Sequence, residues 1–490
     1  MTQAYKNFYT VFSTLVMSVA GTCFNVVQAA PDAELLIEVM REVHPGYLRY
    51  QSETEAATAE RIFREAADRA TADGAVNNGA FYLAVSEYLA TIRCEHTEAE
   101  LPVALAEWRD STPTMLPVSF KWVEDTAIIT GVAAGTLGVA IGDELLAVDG
   151  HSMSGLLDEM ATHISVDGFT DHTKAALFAG RDDVGLTTFD MFYPLLHGFS
   201  DSFMLSLRTE GGERHEARVA AVDESTALAA RGLSVDWANF SDPDAVVWQQ
   251  VGDAAVLTIS TFVNYRTPVV PDEVFGAVLR EIKASDATRL VLDLRNVGGG
   301  SSDVMESLLA HLIGQPMTIG GATRVKTYEF AKFREHLSTW NESVFTLPAS
   351  RFTPDGAGLY FLNPENGSDT KVLQPAADAW HGPLTALIGA GNESALTMLL
   401  AELRDEREVT LIGQPTGGSA QGPTAGVLAT LTLPESQILV RVPLRWSLTS
   451  FKDFEFGQGI TPDILVPETI ADLRAGRDRT LEIATTELGR

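Results

Sequence analysis

A chain of 490 residues is too long for one ordinary hydrophobic core, so about two to four domains are expected. Its formal charge of −31 argues against nucleic acid and against anionic membrane surfaces as partners. Composition is globular, with 45% hydrophobic residues, no low-complexity tract and no repeat array.

The N-terminus reads as a targeting signal. Lys6 stands in a short polar start, an apolar run follows over Phe8–Ala20, and Val27-Gln28-Ala29 fits a small-residue cleavage pattern. The run is short and interrupted by Ser, Gly and Asn, which disfavours a retained anchor. Cys23 invites a lipoprotein reading, but Thr22 is a poor neighbour for a lipidated cysteine. A signal peptide over residues 1–29 implies export to a bacterial periplasm or beyond. The mature chain has no second long apolar run, so no integral membrane span is expected in it. It keeps one cysteine, Cys94, which cannot form an internal disulfide.

Residues 30–115 read as a helical region, with apolar residues at helical spacing over Ala33–Glu42, Thr54–Asp73 and Ala80–Arg93. His44-Pro45-Gly46-Tyr47 breaks them as a turn. Residues 116–222 change to short strands and turns. Within Gly131–Met153, a strand and a Gly turn lead through Gly142-Asp143 into Leu145–Val148 and an Asp149-Gly150 turn. This block resembles a PDZ domain, in which a peptide terminus adds a strand to a sheet edge. Thr170–Ser200 is an insertion with no assignment.

From Val246 the pattern becomes α/β: strand Ala254–Ser260, helix Glu273–Ala284, strand Arg289–Leu294, helix Ser302–Leu312. Residues 320–380 are an irregular excursion. Strand Leu384–Ile388, helix Ala395–Arg404 and strand Glu408–Ile412 follow, and Ile470–Glu487 is a final helix or helix pair. The alternation predicts a sheet with parallel pairs covered by helices, over a core of residues 223–475 and a C-terminal helix at 476–490.

Two segments carry the chemistry. Leu290–Gly300 reads LVLDLRNVGGG, a strand running into three glycines. Leu387–Ser419 reads strand, turn, Ser394 opening a helix, strand, and a second Gly turn. Their order resembles the core of the C-terminal-processing (tail-specific) serine peptidases, a family that includes the tricorn core protease and the interphotoreceptor retinoid-binding-protein repeats. The resemblance implies a multidomain α+β protein: a helical N-terminal region, a PDZ-like β domain and a ClpP/crotonase-like α/β catalytic core. It further implies a serine endopeptidase acting on polypeptide, with no cofactor.

By the resemblance, Ser394 is the nucleophile. A hydroxyl there meets the positive end of a helix and its unsatisfied N–H groups. A Ser in that place is also an ordinary N-cap, which the local sequence alone favours; the Gly turn and second strand tip the reading to the nucleophile. Gly298 and Gly299, with the Ala395 N–H, are the expected oxyanion donors. Asn is usual in the family where this chain has Val297, although Asn296 lies beside it. Asp293 and Arg295 read as a structural charge pair.

The tail-specific branch places a Lys base where this chain has Ser419, and no Lys lies between Lys371 and Lys452. The tricorn-like branch uses a His ahead of its PDZ domain. His96, in Thr91-Ile92-Arg93-Cys94-Glu95-His96-Thr97, has that place and is the expected base; the plainer role is a His at a helix end. The third member is assigned to Glu455, in Phe454–Asp463, with Glu95 and Asp453 as competitors. No His spacing suits zinc. Departures at Val297, at Glu95 (where many exported relatives have Gly before the His) and at Ser419 motivate the alternative of a degenerate peptidase scaffold that binds peptide or apolar ligands; a PDZ-type adaptor is a third reading. The sequence leaves an oligomer open.

Overall fold

The structure is a computed structural model that describes residues 29–71, 78–180, 187–232, 238–363, 371–449 and 452–487. The signal-peptide expectation lies, up to residue 28, outside the described residues. None of the described helices is long and apolar enough to cross a membrane.

Three helices open the chain: α1 (Ala29–Val43), α2 (Glu53–Ala70) and α3 (Asn78–Ala90). Ser52 caps α2 in a reciprocal box with Glu55, which satisfies two backbone donors at the helix start. α1 and α2 each carry one apolar face, α3 is apolar and buried nearly all round, and Phe63 stacks on Tyr88 with centroids 4.7 Å apart. Asp32 in the first turn of α1 is fully buried and accepts the Glu435 and Ser436 N–H groups at 3.0 and 2.7 Å. That bond pins the first helix to a hairpin some four hundred residues away in the chain.

An antiparallel sheet follows, ordered β1 (Val118–Val123), β2 (Thr126–Val132), β3 (Glu144–Val148), β4 (Ser202–Arg208) and β5 (Arg214–Ala220), with the short strand His151–Ser152 on β3. The Asp149-Gly150 turn joins β3 to that strand, both residues at positive φ. The unassigned Thr170–Ser200 stretch holds two short helices, Lys174–Ala179 and Thr188–His197, whose Phe178 and Phe189 pack edge-on against Phe120 of β1. Its sequence lacked a long amphipathic period because the two helices are only 6 and 10 residues long.

The second sheet contains β6 (Val246–Val251), β7 (Ala254–Ile259), β8 (Arg289–Asp293), β9 (Leu384–Ile388), β10 (Thr410–Gly413) and, after the hairpin β11 (Leu428–Thr432)–β12 (Leu439–Pro443), the edge strand β13 (Ile464–Leu465). Its order is β13-β10-β9-β8-β7-β6, parallel except for the β6/β7 hairpin. β7, β8 and β9 are apolar and buried almost without a break, as parallel strands covered on both faces must be. Helices α4 (Pro271–Ala284), α5 (Ser302–Ala310) and α6 (Ser394–Glu406) pack against the sheet in its larger core. A smaller core holds Val256, Val291, Leu387, Ile412 and Ala484.

Residues 320–380, irregular in sequence, contribute short strands, among them Leu337–Ser338 beside β11. A helix begins at Ile470, where the sequence places the final helix or helix pair; Gly476 takes the left-handed conformation that ends it, and a second short helix, Arg479–Glu482, follows.

Replacing Asp32 with Ala strands two backbone donors and should lower stability by about 2 to 4 kcal/mol. Urea unfolding of the purified variant measures this; an unchanged midpoint would show that the α1–hairpin bond carries no load.

Candidate active site

The sheet delivers two turns side by side. β9 ends at Ile388, its connection runs through Ala390-Gly391-Asn392-Glu393, and α6 starts at Ser394. Ser394 has φ 52, in the left-handed region that a non-glycine residue occupies at a cost of about 1 to 3 kcal/mol. A strand–turn–helix with the hydroxyl residue at positive φ is the geometry of a nucleophile elbow, which exposes the side chain above the sheet. Hydrogen bonding within α6 starts from the Leu396 N–H to the Glu393 carbonyl at 3.1 Å, so the Ala395 N–H precedes the ladder.

The neighbouring strand β8 runs into Asn296-Val297-Gly298-Gly299-Gly300. Gly299 has φ 112, and a Cβ built there would sit 2.8 Å from Ser394 Cβ and 3.3 Å from the Ala395 nitrogen. The backbone of Gly299 therefore lies directly on the elbow, with no room for a side chain. Gly300 (φ 136) is equally tight against the Phe262 backbone. Gly298 precedes this pair in the same turn. Val297 is fully buried in the sheet core, so an apolar residue suits the position. Asp293 and Arg295 form a two-bond ion pair at 2.7 and 2.8 Å, and Arg295 also binds Asp478.

One residue that sequence reasoning left unassigned joins the turns. Asn392 is fully buried; its amide donates to the carbonyls of Leu294 at 2.7 Å and Val297 at 3.0 Å, and its side-chain oxygen accepts the Gly389 N–H at 2.8 Å. Its own carbonyl accepts the Gly417 and Gly418 N–H groups, each at 2.9 Å. The available signal was a lone amide between an apolar strand and an apolar helix, where only backbone partners remain.

His96 arrives from the other side. The segment after α3 turns at Arg93 (φ 57) and runs beside β12: the Glu100 N–H donates to the Leu439 carbonyl and the Arg441 N–H to the Glu98 carbonyl, both at 2.8 Å. Next to His96, Thr97 is fully buried and meets the ring of buried His44 at 2.8 Å, and His44 Nδ1 accepts the Gly46 N–H at 3.0 Å. The turn read from His44–Tyr47 thus buttresses the His96 segment. His96 Nε2 stands 3.0 Å from Ser394 Oγ. Burial, with the Arg441 cation as a lesser cause, pushes the His96 pKa down to about 3.

The three candidate acids are placed differently. Glu455 is exposed on the loop after Phe454, and no bond from its carboxylate to His96 is seen. The carboxylate beside His96 Nδ1 is Glu95, at 3.4 Å, with a side chain only 7% exposed. Asp453, the other competitor, is exposed on the same loop as Glu455, whereas Glu95 follows directly from the tight turn at Arg93. Ser419, which the sequence reading set at the place of the tail-specific Lys, is buried, and its N–H donates to Asp167 Oδ2 at 2.9 Å.

Residues 253–466 match the model described as Peptidase family S41. The chain carries an S41 peptidase domain. It is a serine-type peptidase, and the family of that domain implies a polypeptide substrate. Among solved structures it is similar to mature CPAF, at 16% identity and TM-score 0.60 over 92% of this chain and 95% of that one. Mature CPAF complexed with lactacystin gives 16%, 0.61, 92% and 96%. The photosystem II D1 C-terminal processing protease lies further off, at 15% identity and TM-score 0.41 over 89% of this chain and 94% of that one. No curated protein matches the sequence. The CPAF likeness spans nearly both chains, so the S41 domain, the helical region and the antiparallel sheet share one arrangement of fold with it.

Gly299→Ala should drive a methyl into Ser394 and lower kcat at least about a hundredfold while the domain stays folded. Hydrolysis of an unstructured test protein, alongside circular dichroism, reads both effects; a folded variant with wild-type kcat would remove Gly299 from the site.

Proposed function

We propose that this protein is an exported serine endopeptidase that cleaves unstructured or C-terminal polypeptide segments through a Ser394–His96 pair, in the branch that lacks the Lys base. The observation that carries the proposal is the 3.0 Å separation of Ser394 Oγ and His96 Nε2. Ser394 Oγ attacks the scissile carbonyl carbon as its proton passes to Nε2. Gly299 and the Ala395 N–H face the oxygen on which negative charge develops, with Gly298 shaping the turn. The imidazolium returns the proton to the leaving amine, and water repeats the sequence on the acyl-ester.

For Nε2 to accept the Ser394 proton, Nδ1 must carry the hydrogen of the neutral ring, and that side faces Glu95. Glu95 is therefore assigned the orienting role in place of Glu455. The antiparallel sheet from β1 to β5, read as a PDZ-like module, is assigned to substrate capture. The same residues argue against a binding-only scaffold: a left-handed Ser394 with an imidazole at its hydroxyl is a costly arrangement with no use in passive binding.

Ser394→Ala should abolish hydrolysis of an unstructured protein without loss of fold, and a fluorophosphonate probe should label Ser394 in the wild type alone. Absence of labelling in folded wild type would favour the binding scaffold.

The low His96 pKa sets a sign for pH dependence. The base is needed unprotonated, so the acid limb of kcat/KM should fall well below pH 6.5, the ordinary imidazole value. Buried His44 and His96 also withdraw stability as pH falls from 6.5 towards 3, since the unfolded chain binds protons that the folded chain excludes. A pH–rate profile restricted to the range where the fold is intact checks the point; a limb centred near 6.5 would contradict it.

A further inference from the structure

The segment from Ile164 to Thr173, which belongs to the antiparallel-sheet module, touches both halves of the site. Towards His96, the Ser165 hydroxyl donates to the Thr97 carbonyl at 3.0 Å. The Gly168 N–H donates to the Arg93 carbonyl at 3.0 Å, and the Arg93 guanidinium returns a bond to the Gly168 carbonyl at 2.9 Å. Towards the S41 domain, the Phe169 N–H donates to the Gly457 carbonyl at 2.7 Å, and Asp167 Oδ2 accepts the Ser419 N–H. Gly168 is at φ 63, and a Cβ there would meet the Gly457 oxygen at 2.4 Å, so the strap lies flat on the loop.

The Asp167–Ser419 bond leads straight to the nucleophile. Ser419 closes the Gly417-Gly418 turn, whose two N–H groups hold the Asn392 carbonyl. A Cβ on Gly418 would lie 2.9 Å from Glu393 Cα and 3.1 Å from the Ser394 nitrogen. Asp167 is itself 1% exposed, and its backbone carbonyl is tied by the Thr170 hydroxyl at 2.8 Å. A shift of the turn by a few tenths of an ångström therefore reaches the elbow with nothing soft in between.

We propose that Asp167 is a positioning residue for this peptidase, which by accepting the Ser419 N–H sets the Gly417–Ser419 turn against Ser394 and so holds the nucleophile in register with His96. The inference rests on the Ser394–His96 reading above. It gives the position of the tail-specific Lys a different use: a backbone donor clamped from a neighbouring module rather than a base. The acceptor oxygen is what matters, not the charge. Burial raises the Asp167 carboxyl above its ordinary range, with Arg49 opposing, so the site already disfavours the ion and an amide should stand in for it.

The experiment compares wild type, D167A and D167N as full chains, with steady-state hydrolysis of an unstructured protein and the rate of fluorophosphonate labelling at Ser394. D167A is expected to lose tenfold to a hundredfold in kcat and in labelling rate, with KM within twofold. D167N, which keeps an oxygen for the Ser419 N–H, is expected within threefold of wild type. D167A at the wild-type rate, or a loss carried by KM alone, overturns the proposal. Should D167A fail to fold, D167V, which fills the buried space without an acceptor, takes its place. A folded D167N that loses tenfold or more overturns the proposal by itself. A wild type that is not labelled at all overturns the underlying Ser394–His96 reading as well, whereas a labelled wild type with an equally labelled D167A overturns the Asp167 role alone.

Discussion

The hydrogen bond between His96 and Ser394 joins residues 298 positions apart and belonging to separately built parts of the fold. Nothing local creates it. Ser394 is placed by the parallel sheet, through the end of β9 and the start of α6. His96 is placed by the end of α3, by the backbone pairing of residues 98–100 with β12 and by the His44–Thr97 contact. A 3.0 Å distance survives only if each of these supports is stiff, because a few tenths of an ångström at either end breaks the alignment that proton transfer needs.

Stiffness explains the density of conformational constraints around the elbow. Ser394 is at positive φ, Gly299 and Gly300 allow backbone contacts that no Cβ could share, and Gly418 packs on the Ser394 nitrogen. The left-handed Ser394 costs about 1 to 3 kcal/mol, so the surrounding structure must over-determine it. Asn392 supplies much of that determination. It binds the two carbonyls of the glycine turn, one amide of its own loop and two amides of the 417–418 turn, so three loops share a single buried amide residue. The apolar strands β7, β8 and β9 beneath it provide a floor that does not yield.

What the sequence revealed follows the range of the interactions involved. The strand–turn–helix around Ser394 and the glycine turn after β8 were legible because apolar runs, glycines and a helix period are local signals. The Asp149-Gly150 turn was legible for the same reason. Asn392 and Asp167 were not, since their importance lies in partners brought together by tertiary packing: Val297 for one, Ser419 for the other. The acid was drawn to Glu455 by family spacing, while the carboxylate nearest the His96 ring is on the preceding residue. A spacing rule carries no information about where a turn points, and it is the left-handed Arg93 that aims Glu95 and His96 together. The helices of the 170–200 region escaped notice because helices of 6 and 10 residues are too short to leave a sustained period.

The electrostatics of the base impose a demand that the protein alone meets only in part. A neutral imidazole is favoured by burial, which keeps His96 ready to accept a proton but makes the imidazolium expensive. Arg441 adds to that expense, though its guanidinium is engaged by the Glu98 carboxylate. On the proposed mechanism the positive ring is formed in the same step as the negative oxyanion, so the pair is neutral overall, and each charge has a fixed counterpart: Glu95 behind the ring and backbone N–H groups ahead of the oxygen. At 3.4 Å the Glu95 contact is an electrostatic one rather than an aligned hydrogen bond. Catalytic hydrogen bonds commonly tighten when substrate fills the site. On the proposed mechanism the tightening would be a closer approach of the Glu95 carboxylate to Nδ1, driven by the ring's own positive charge, which forms only once Ser394 has given up its proton.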